Sequence, residues 1–284
     1  MLLKPHKQEA VEIGRELCQW LRARHIEVLA VGDHLGSECG ARSVHEDELV
    51  GIDFLVVLGG DGTLLHGAEL VADRGVPLLG INLGTLGFLT TCPPEQGFQV
   101  LERAIAGQLA VERRMRLRVL FIRENGEQIQ RFACNDVVIN QGALARLMEF
   151  ESFLDGRPIT TYRADGLIIS TPTGSTAYNL AAGGPIVSPH VQAMILSPIC
   201  PHTLTNRPLV VPAASRVQVR LGTHAQNVLL TVDGQWGTPF APGDLVEIHA
   251  ANQPLLLYRP PEITYFDVLR TKLHWGERNR TDKS

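Results

Sequence analysis

At 284 residues, with 44 % apolar residues and charges of both signs, the chain can bury a sizeable core and is expected to form two domains rather than one. A formal net charge of −4 gives no global field for capturing nucleic acid or an anionic membrane, so an anionic ligand must be held by local groups. There is no long apolar run, the opening residues 1–7 lack the apolar core of a signal peptide, and five scattered cysteines (Cys18, Cys39, Cys92, Cys134, Cys200), never spaced as C-x-x-C, predict reduced cytosolic thiols and argue against a structural zinc site.

In chain order, residues 8–24 carry Ala10, Val11, Ile13, Leu17, Trp20 and Leu21 at helical spacing, and the runs 26–31 and 54–58 read as strands. Directly behind the second strand stands Gly59-Gly60-Asp61-Gly62-Thr63, three glycines around one carboxylate. Read as a turn, it relieves the backbone of Cβ clashes and lets a polyphosphate approach main-chain N–H groups. The stretch 63–70 reads as a helix, whose positive N-terminus favours phosphate. An acidic residue facing phosphate repels the ligand unless it holds a metal or takes a proton, which favours a functional reading over a plain strand–turn–helix corner. Residues 76–82 form the next strand. The alternation predicts a parallel sheet with crossover helices and ligands beyond the carboxyl ends of its strands. The second glycine-rich stretch, residues 80–88, is too loosely spaced for a G-x-G-x-x-G fingerprint, and no Walker A lysine signature exists.

Near residue 110 the pattern turns to short alternating segments, predicting a second, β-rich domain. Arg114, Arg116 and Arg118, spaced by two, are expected on a solvated strand face rather than in an anion patch. Asn135 and Asp136 open the run 135–140; adjacent carboxamide and carboxylate suit an adenine edge or a ribose diol, and equally a strand-start turn. In residues 163–178 a strand ends in a turn crowded with hydroxyls and glycine. Thr173, Ser175 and Thr176 could cap a helix or grip a ligand, and a buried Asp165 beside Arg163 could form a structural ion pair. Residues 266–275 are amphipathic and predict a docked helix, and the polar stretch from Gly276 onward is expected to fray. The resulting boundaries are 1–110 for an α/β domain, 111–262 for a β-rich domain, and 263–284 for a C-terminal helix that returns to the first domain, with its tail.

Taken together and in order, G-G-D-G-T at residues 59–63, N-D-V-V-I at 135–139 and D-G-L-I-I-S-T-P-T-G-S-T-A-Y at 165–178 closely resemble the NAD kinase family. The runs 201–209 and 265–276 match as well, so the resemblance spans about Gln8 to Gly276. The first motif is shared with diacylglycerol and sphingosine kinases; the T-P-T-G-S-T-A-Y stretch is far more specific. The resemblance implies an α/β N-terminal domain with a parallel sheet, a β-sandwich-like C-terminal domain, and a homodimer or homotetramer. It implies phosphoryl transfer from ATP, or in some members polyphosphate, to the 2′-hydroxyl of the adenosine ribose of NAD, with Mg²⁺ or another divalent cation carried on ATP. It makes Asp61 the candidate base and Gly59, Gly60, Gly62 and Thr63 the phosphate-binding residues. Asp61, Gly62, Phe88, Asn135, Asp136, Arg163, Asp165, Thr173, Thr176, Ala177, Tyr178 and Asp233 become the NAD-binding set, with Arg163 and Asp165 near a subunit boundary. Family members usually begin with an apolar strand of which residues 1–5 leave almost nothing, so either the start lies elsewhere or the first strand is stunted.

A lipid kinase sharing the first motif would need an exposed apolar face for membrane docking, and no basic amphipathic segment provides one. A module that senses NAD or ATP without turnover is disfavoured by an intact Asp61. No nucleic-acid or membrane partner is expected, and the cytoplasm is the expected compartment.

Overall fold

The computed structural model describes every residue except 33, 34, 36–39, 72, 73, 142–147, 223–226, 261 and 276–284. Cys39 and the polar tail from Gly276 therefore lie outside the described residues. The chain divides into two compact units, Met1–Arg113 with Leu256–Ser284, and Arg114–Leu255.

The first unit opens with β1 (Leu2–Leu3), α1 (Gln8–Arg22), β2 (Leu29–Val31), β3 (Arg42–Val44), β4 (Leu55–Gly59), α2 (Asp61–Leu70), β5 (Leu78–Asn82), α3 (Gly97–Ile105) and β6 (Val111–Arg114). β4 lies between β1 and β5 and pairs in parallel with both. Every residue of β4 and β5 is buried, as a parallel strand covered on both faces requires, and this explains their unbroken apolar runs. α1 turns Ala10, Gly14, Leu17, Cys18 and Leu21 inward, the stripe that its 3.6-residue spacing predicts. The strand expected over 26–31 is shorter, Leu29–Val31. Its first residues close α1 instead: the Ile26 N–H donates to the Leu21 carbonyl at 3.1 Å, and His25 takes a left-handed φ of 60°.

The second unit runs through β7 (Leu117–Ile122), β8 (Gln128–Ala133), β9 (Asp136–Gln141), β10 (Met148–Leu154), β11 (Arg157–Ala164), β12 (Gly166–Ser170), α4 (Tyr178–Ala181), β13 (Ala193–Ile199), β14 (Leu209–Pro212), β15 (Val217–Leu221), β16 (Val228–Val232), β17 (Trp236–Phe240) and β18 (Leu245–Ala250). Two antiparallel sheets result, ordered β11-β10-β15-β18-β7-β8 and β14-β13-β12-β9-β16-β17. One apolar core joins side chains of both, among them Val119, Phe121 and Phe150 from the first with Val137, Ile139, Leu167 and Leu230 from the second. This is sandwich packing, with β7 alternating buried and half-buried residues. Phe121 meets Phe240 edge to face, ring centroids 5.5 Å apart.

The chain then returns to the first unit. β19 (Leu255–Tyr258) pairs in parallel with β5 and completes the order β1-β4-β5-β19-β6. α5 (Tyr265–Leu273) follows, capped by Thr264, whose hydroxyl accepts the Asp267 N–H while the Asp267 carboxylate accepts the Thr264 N–H. Among the described residues no helix is long and apolar enough to cross a membrane.

The solvated face expected for the arginines is corrected at two of three positions. Arg114 and Arg116 are 2 % and 1 % exposed. The Arg114 guanidinium donates to the Thr173 hydroxyl at 3.3 Å, and that of Arg116 donates twice to the Gln253 carbonyl and lies over the Phe132 ring. Period-two spacing holds only within one strand, whereas Arg116 sits between β6 and β7. Arg118, on β7, is half-buried and bonds Gln130.

Candidate functional site

In the first unit the glycine motif spans a strand end and a helix start. Gly59 ends β4, Gly60 is the N-cap of α2, and Asp61 and Gly62 are already its first helical residues, two positions earlier than expected. The three glycines differ in kind. A Cβ at Gly59 would stand 2.5 Å from the Thr63 hydroxyl oxygen, so packing demands that glycine. At Gly60 and Gly62 a Cβ would meet nothing within 4 Å. Relief of clashes accounts for the first glycine only; the other two leave open surface at a helix N-terminus, where main-chain N–H groups attract anions.

Asp61 is not a lone carboxylate. Its Oδ2 accepts the Phe88 N–H at 2.8 Å, and its Oδ1 accepts the Leu89 N–H at 3.1 Å, the Thr90 N–H at 2.9 Å and the Thr90 hydroxyl at 2.9 Å. Charge-assisted bonds of this kind hold a carboxylate in one orientation. The loop 83–90 that supplies them is folded around Asn82 at the end of β5, whose Nδ2 donates to the Thr85 carbonyl at 2.8 Å and whose Oδ1 accepts the Gly84 N–H at 2.8 Å. The main chain of Phe88 is thus what touches Asp61; its ring is half-buried. Sequence reasoning missed Asn82 and Thr90. The available signal was a carboxamide near the start of the second glycine-rich stretch and a hydroxyl two residues past its end.

In the second unit three separate motifs converge on residues 134–136. The Asp233 carboxylate accepts the N–H groups of Cys134 at 2.7 Å, Asn135 at 2.7 Å and Asp136 at 3.0 Å. On the carbonyl side, the Thr171 hydroxyl donates to the Cys134 carbonyl at 2.6 Å, and the Thr171 N–H and Ser170 hydroxyl donate to the Asn135 carbonyl. Gly174 packs its bare Cα there: a Cβ would lie 2.1 Å from the Asn135 carbonyl oxygen. Asp136 is buried, and burial, with the Asp233 charge as second cause, pushes its carboxyl up to about 7 against the opposing Tyr178 N–H bond.

The remaining hydroxyls serve the same turn. Thr171 accepts the Gly174 N–H, Ser175 bonds the Pro172 carbonyl and the Val187 N–H, and Thr176 donates to the Thr173 carbonyl. None of Thr173, Ser175 and Thr176 caps a helix through its side chain. Thr173 is buried, Thr176 and Ala177 are half-buried, and Tyr178 is exposed. The alternative of a buried Arg163–Asp165 ion pair is not what forms: Asp165 is exposed, and Arg163 pairs with Glu149 on the neighbouring strand at 2.8 Å. Both lie at the β11–β12 junction, where residues 163 and 165 fall on the same outward side of the alternation.

Among the described residues, no three His, Cys, Asp or Glu side chains form a group able to hold a metal ion.

Comparison with known proteins places the chain in a family. The ATP-NAD kinase N-terminal domain matches residues 1–109, and the ATP-NAD kinase C-terminal domain matches residues 134–259. The chain is 47 % identical over 277 residues to the NAD kinase of Geotalea daltonii, with 97 % of each covered. It is 48 % identical over 278 residues to the NAD kinase of Geobacter sulfurreducens, again with 97 % of each covered. Among solved structures, yeast NADH kinase complexed with NADH is similar at a TM-score of 0.92 and 28 % identity, covering 99 % of this chain and 89 % of that one. An NAD kinase from Archaeoglobus fulgidus in complex with ATP shares the fold at a TM-score of 0.75 and 24 % identity, over 96 % of this chain and 97 % of that one. Matched over nearly its whole length by such relatives, and carrying both domain types, the chain belongs to the NAD kinase family.

Proposed function

We propose that this chain transfers the terminal phosphoryl group of ATP to the 2′-hydroxyl of the adenosine ribose of NAD, with Asp61 as general base. The observation that carries the assignment is the clamped Asp61 carboxylate at the start of α2, beside open glycine surface. Three donors engage Oδ1 and one engages Oδ2, so Oδ2 keeps the larger capacity to accept a substrate hydroxyl. Carboxylates as a class are weak bases. Phosphoryl transfer passes through a loose transition state that releases the proton only as the new bond to phosphorus forms, so a positioned weak base suffices. Alignment of hydroxyl and phosphorus supplies more of the acceleration than basicity does.

Gly59, Gly60, Gly62 and Thr63 belong to the phosphate side, where the first-turn N–H groups of α2 offset donor charge. A divalent cation such as Mg²⁺ would be carried on ATP oxygens and water. When bound it neutralises phosphate charge. Asn135 and Asp136 grip the adenosine side of NAD, with Thr173, Thr176, Ala177 and Tyr178 lining the adenine pocket and Phe88 beside the nicotinamide end. The exposed Arg163 and Asp165 suit contact with a second subunit in a homodimer or homotetramer. The protein acts in the cytoplasm on these small molecules.

Purified protein with NAD, ATP and Mg²⁺, read by an NADP-specific dehydrogenase, tests the activity. Asp61→Asn keeps the side chain's size but sets an N–H₂ donor against one of the donors around Asp61, and should lower turnover by about 10²–10⁴, with NAD affinity changed far less. A variant that recovers its rate at high Mg²⁺ would make Asp61 a metal-holding residue instead, and wild-type turnover at ordinary Mg²⁺ would end both readings. Light scattering that shows a fully active monomer would remove the oligomer.

A further inference from the structure

The bonds around Thr90 have a fixed polarity. Asn82 and Thr90 are 4 % and 0 % exposed. The Asn82 amide is oriented by its surroundings, since Nδ2 faces the carbonyls of Thr85 and Thr90 and Oδ1 faces the Gly84 N–H. Its Nδ2 also lies 3.0 Å from the Thr90 hydroxyl oxygen. An amide nitrogen only donates, so the hydroxyl must accept there. The single hydroxyl proton of Thr90 is then left for Asp61 Oδ1, 2.9 Å away. Gly87 closes the arrangement: a Cβ at that position would stand 2.1 Å from Asp61 Oδ1 and 2.4 Å from the Thr90 hydroxyl oxygen.

We propose that Thr90, with its proton directed by Asn82, is a positioning residue that orients the Asp61 carboxylate for proton transfer, an inference that rests on Asp61 being the base. Main-chain N–H groups alone come from a loop and move with it. The buried hydroxyl ties the same oxygen to the end of β5 through Asn82, on the rigid sheet. The oxygen loaded with three donors is turned to the protein, and the carboxylate cannot exchange its two oxygens without breaking the Thr90 bond.

The test is steady-state kinetics on Thr90→Val, nearly the same shape without the hydroxyl, with Thr90→Ala as the variant that adds no bulk and Thr90→Ser as the conservative rescue. Loss of orientation should lower kcat about tenfold or more while KM for NAD and for ATP stay within about twofold. Thr90→Ser should return kcat to within about threefold of wild type, because the donor is restored. Thermal melts of all three establish that the compared proteins are folded. Wild-type kcat in folded Thr90→Val or Thr90→Ala would overturn the proposal, as would a loss that Thr90→Ser does not repair or that falls equally on KM. Asp61→Asn separates the two levels. If it is inactive while Thr90→Val is not, the positioning role alone fails; if it retains full turnover, the base assignment fails and takes this inference with it.

Discussion

Asp233 holds Asp136 at both ends of one residue: its carboxylate accepts the Asp136 N–H at 3.0 Å, and its own N–H donates to the Asp136 carbonyl at 2.9 Å. The grip is possible because Asp233 sits in a left-handed conformation, φ 51°, followed by Gly234 at φ 62°, at the tight connection from β16 to β17. The same carboxylate also serves Cys134 and Asn135, so the turn that presents Asn135 is shaped from outside its own sequence.

Removing that carboxylate should loosen the turn. Asp233→Ala leaves three main-chain donors without this acceptor and should cost about 1–3 kcal/mol of stability, with a raised KM for NAD. Asp233→Asn, which keeps one acceptor oxygen, should fall between. Urea melts and NAD kinetics on both variants test this, and an Ala variant that matches wild type in both would refute it.

Burial and the Asp233 charge raise Asp136 from the usual 3.8 to about 7. An acid whose value rises on folding keeps its proton in the native state after the unfolded chain has released it. The native state then binds more protons between the two values, so stability falls as pH rises from about 4 to about 7. Asp136→Asn removes this titration. Relative to wild type, the variant should gain stability progressively between about pH 4 and about pH 7, reaching on the order of a few kcal/mol. Stability curves that run parallel across that window would show that Asp136 does not titrate there.

Gly174→Ala should act on the same turn by crowding. The new Cβ would meet backbone atoms of Asn135 at 2.1, 2.4 and 2.6 Å, and backbone cannot rotate away as a side chain can. A loss of about 1–3 kcal/mol is expected, together with weaker NAD binding. A melting temperature and KM equal to wild type would contradict the close approach.

Asn135 is half-buried and offers a carboxamide beside Asp136. Asn135→Ala should weaken NAD binding by about 1–3 kcal/mol while leaving the ATP side unchanged. Isothermal titration with each nucleotide separates the two, and unchanged NAD affinity would count against Asn135 as a substrate contact.

Much of the fold was legible because its signals are local. The uncharged run 54–58 reads as a buried strand, the spacing in residues 8–24 as a helix, and Asp61 stands out as an acid among glycines. The order and spacing of the three motifs carried the family. Partners distant in sequence were not legible. Nothing near Asp61 shows that its carboxylate accepts bonds from residues 88–90, 27 to 29 positions away. Nothing in V-D-G shows that Asp233 reaches residues 134–136. The spacing of Arg114, Arg116 and Arg118 likewise hides the burial of the first two, and the closeness of Arg163 and Asp165 in sequence suggests a pair that the strands do not form. Periodicity reports which residues share a face of one element. Which groups meet across elements is set by strand register and by main-chain donors that every residue type carries alike, and only the tertiary structure decides those.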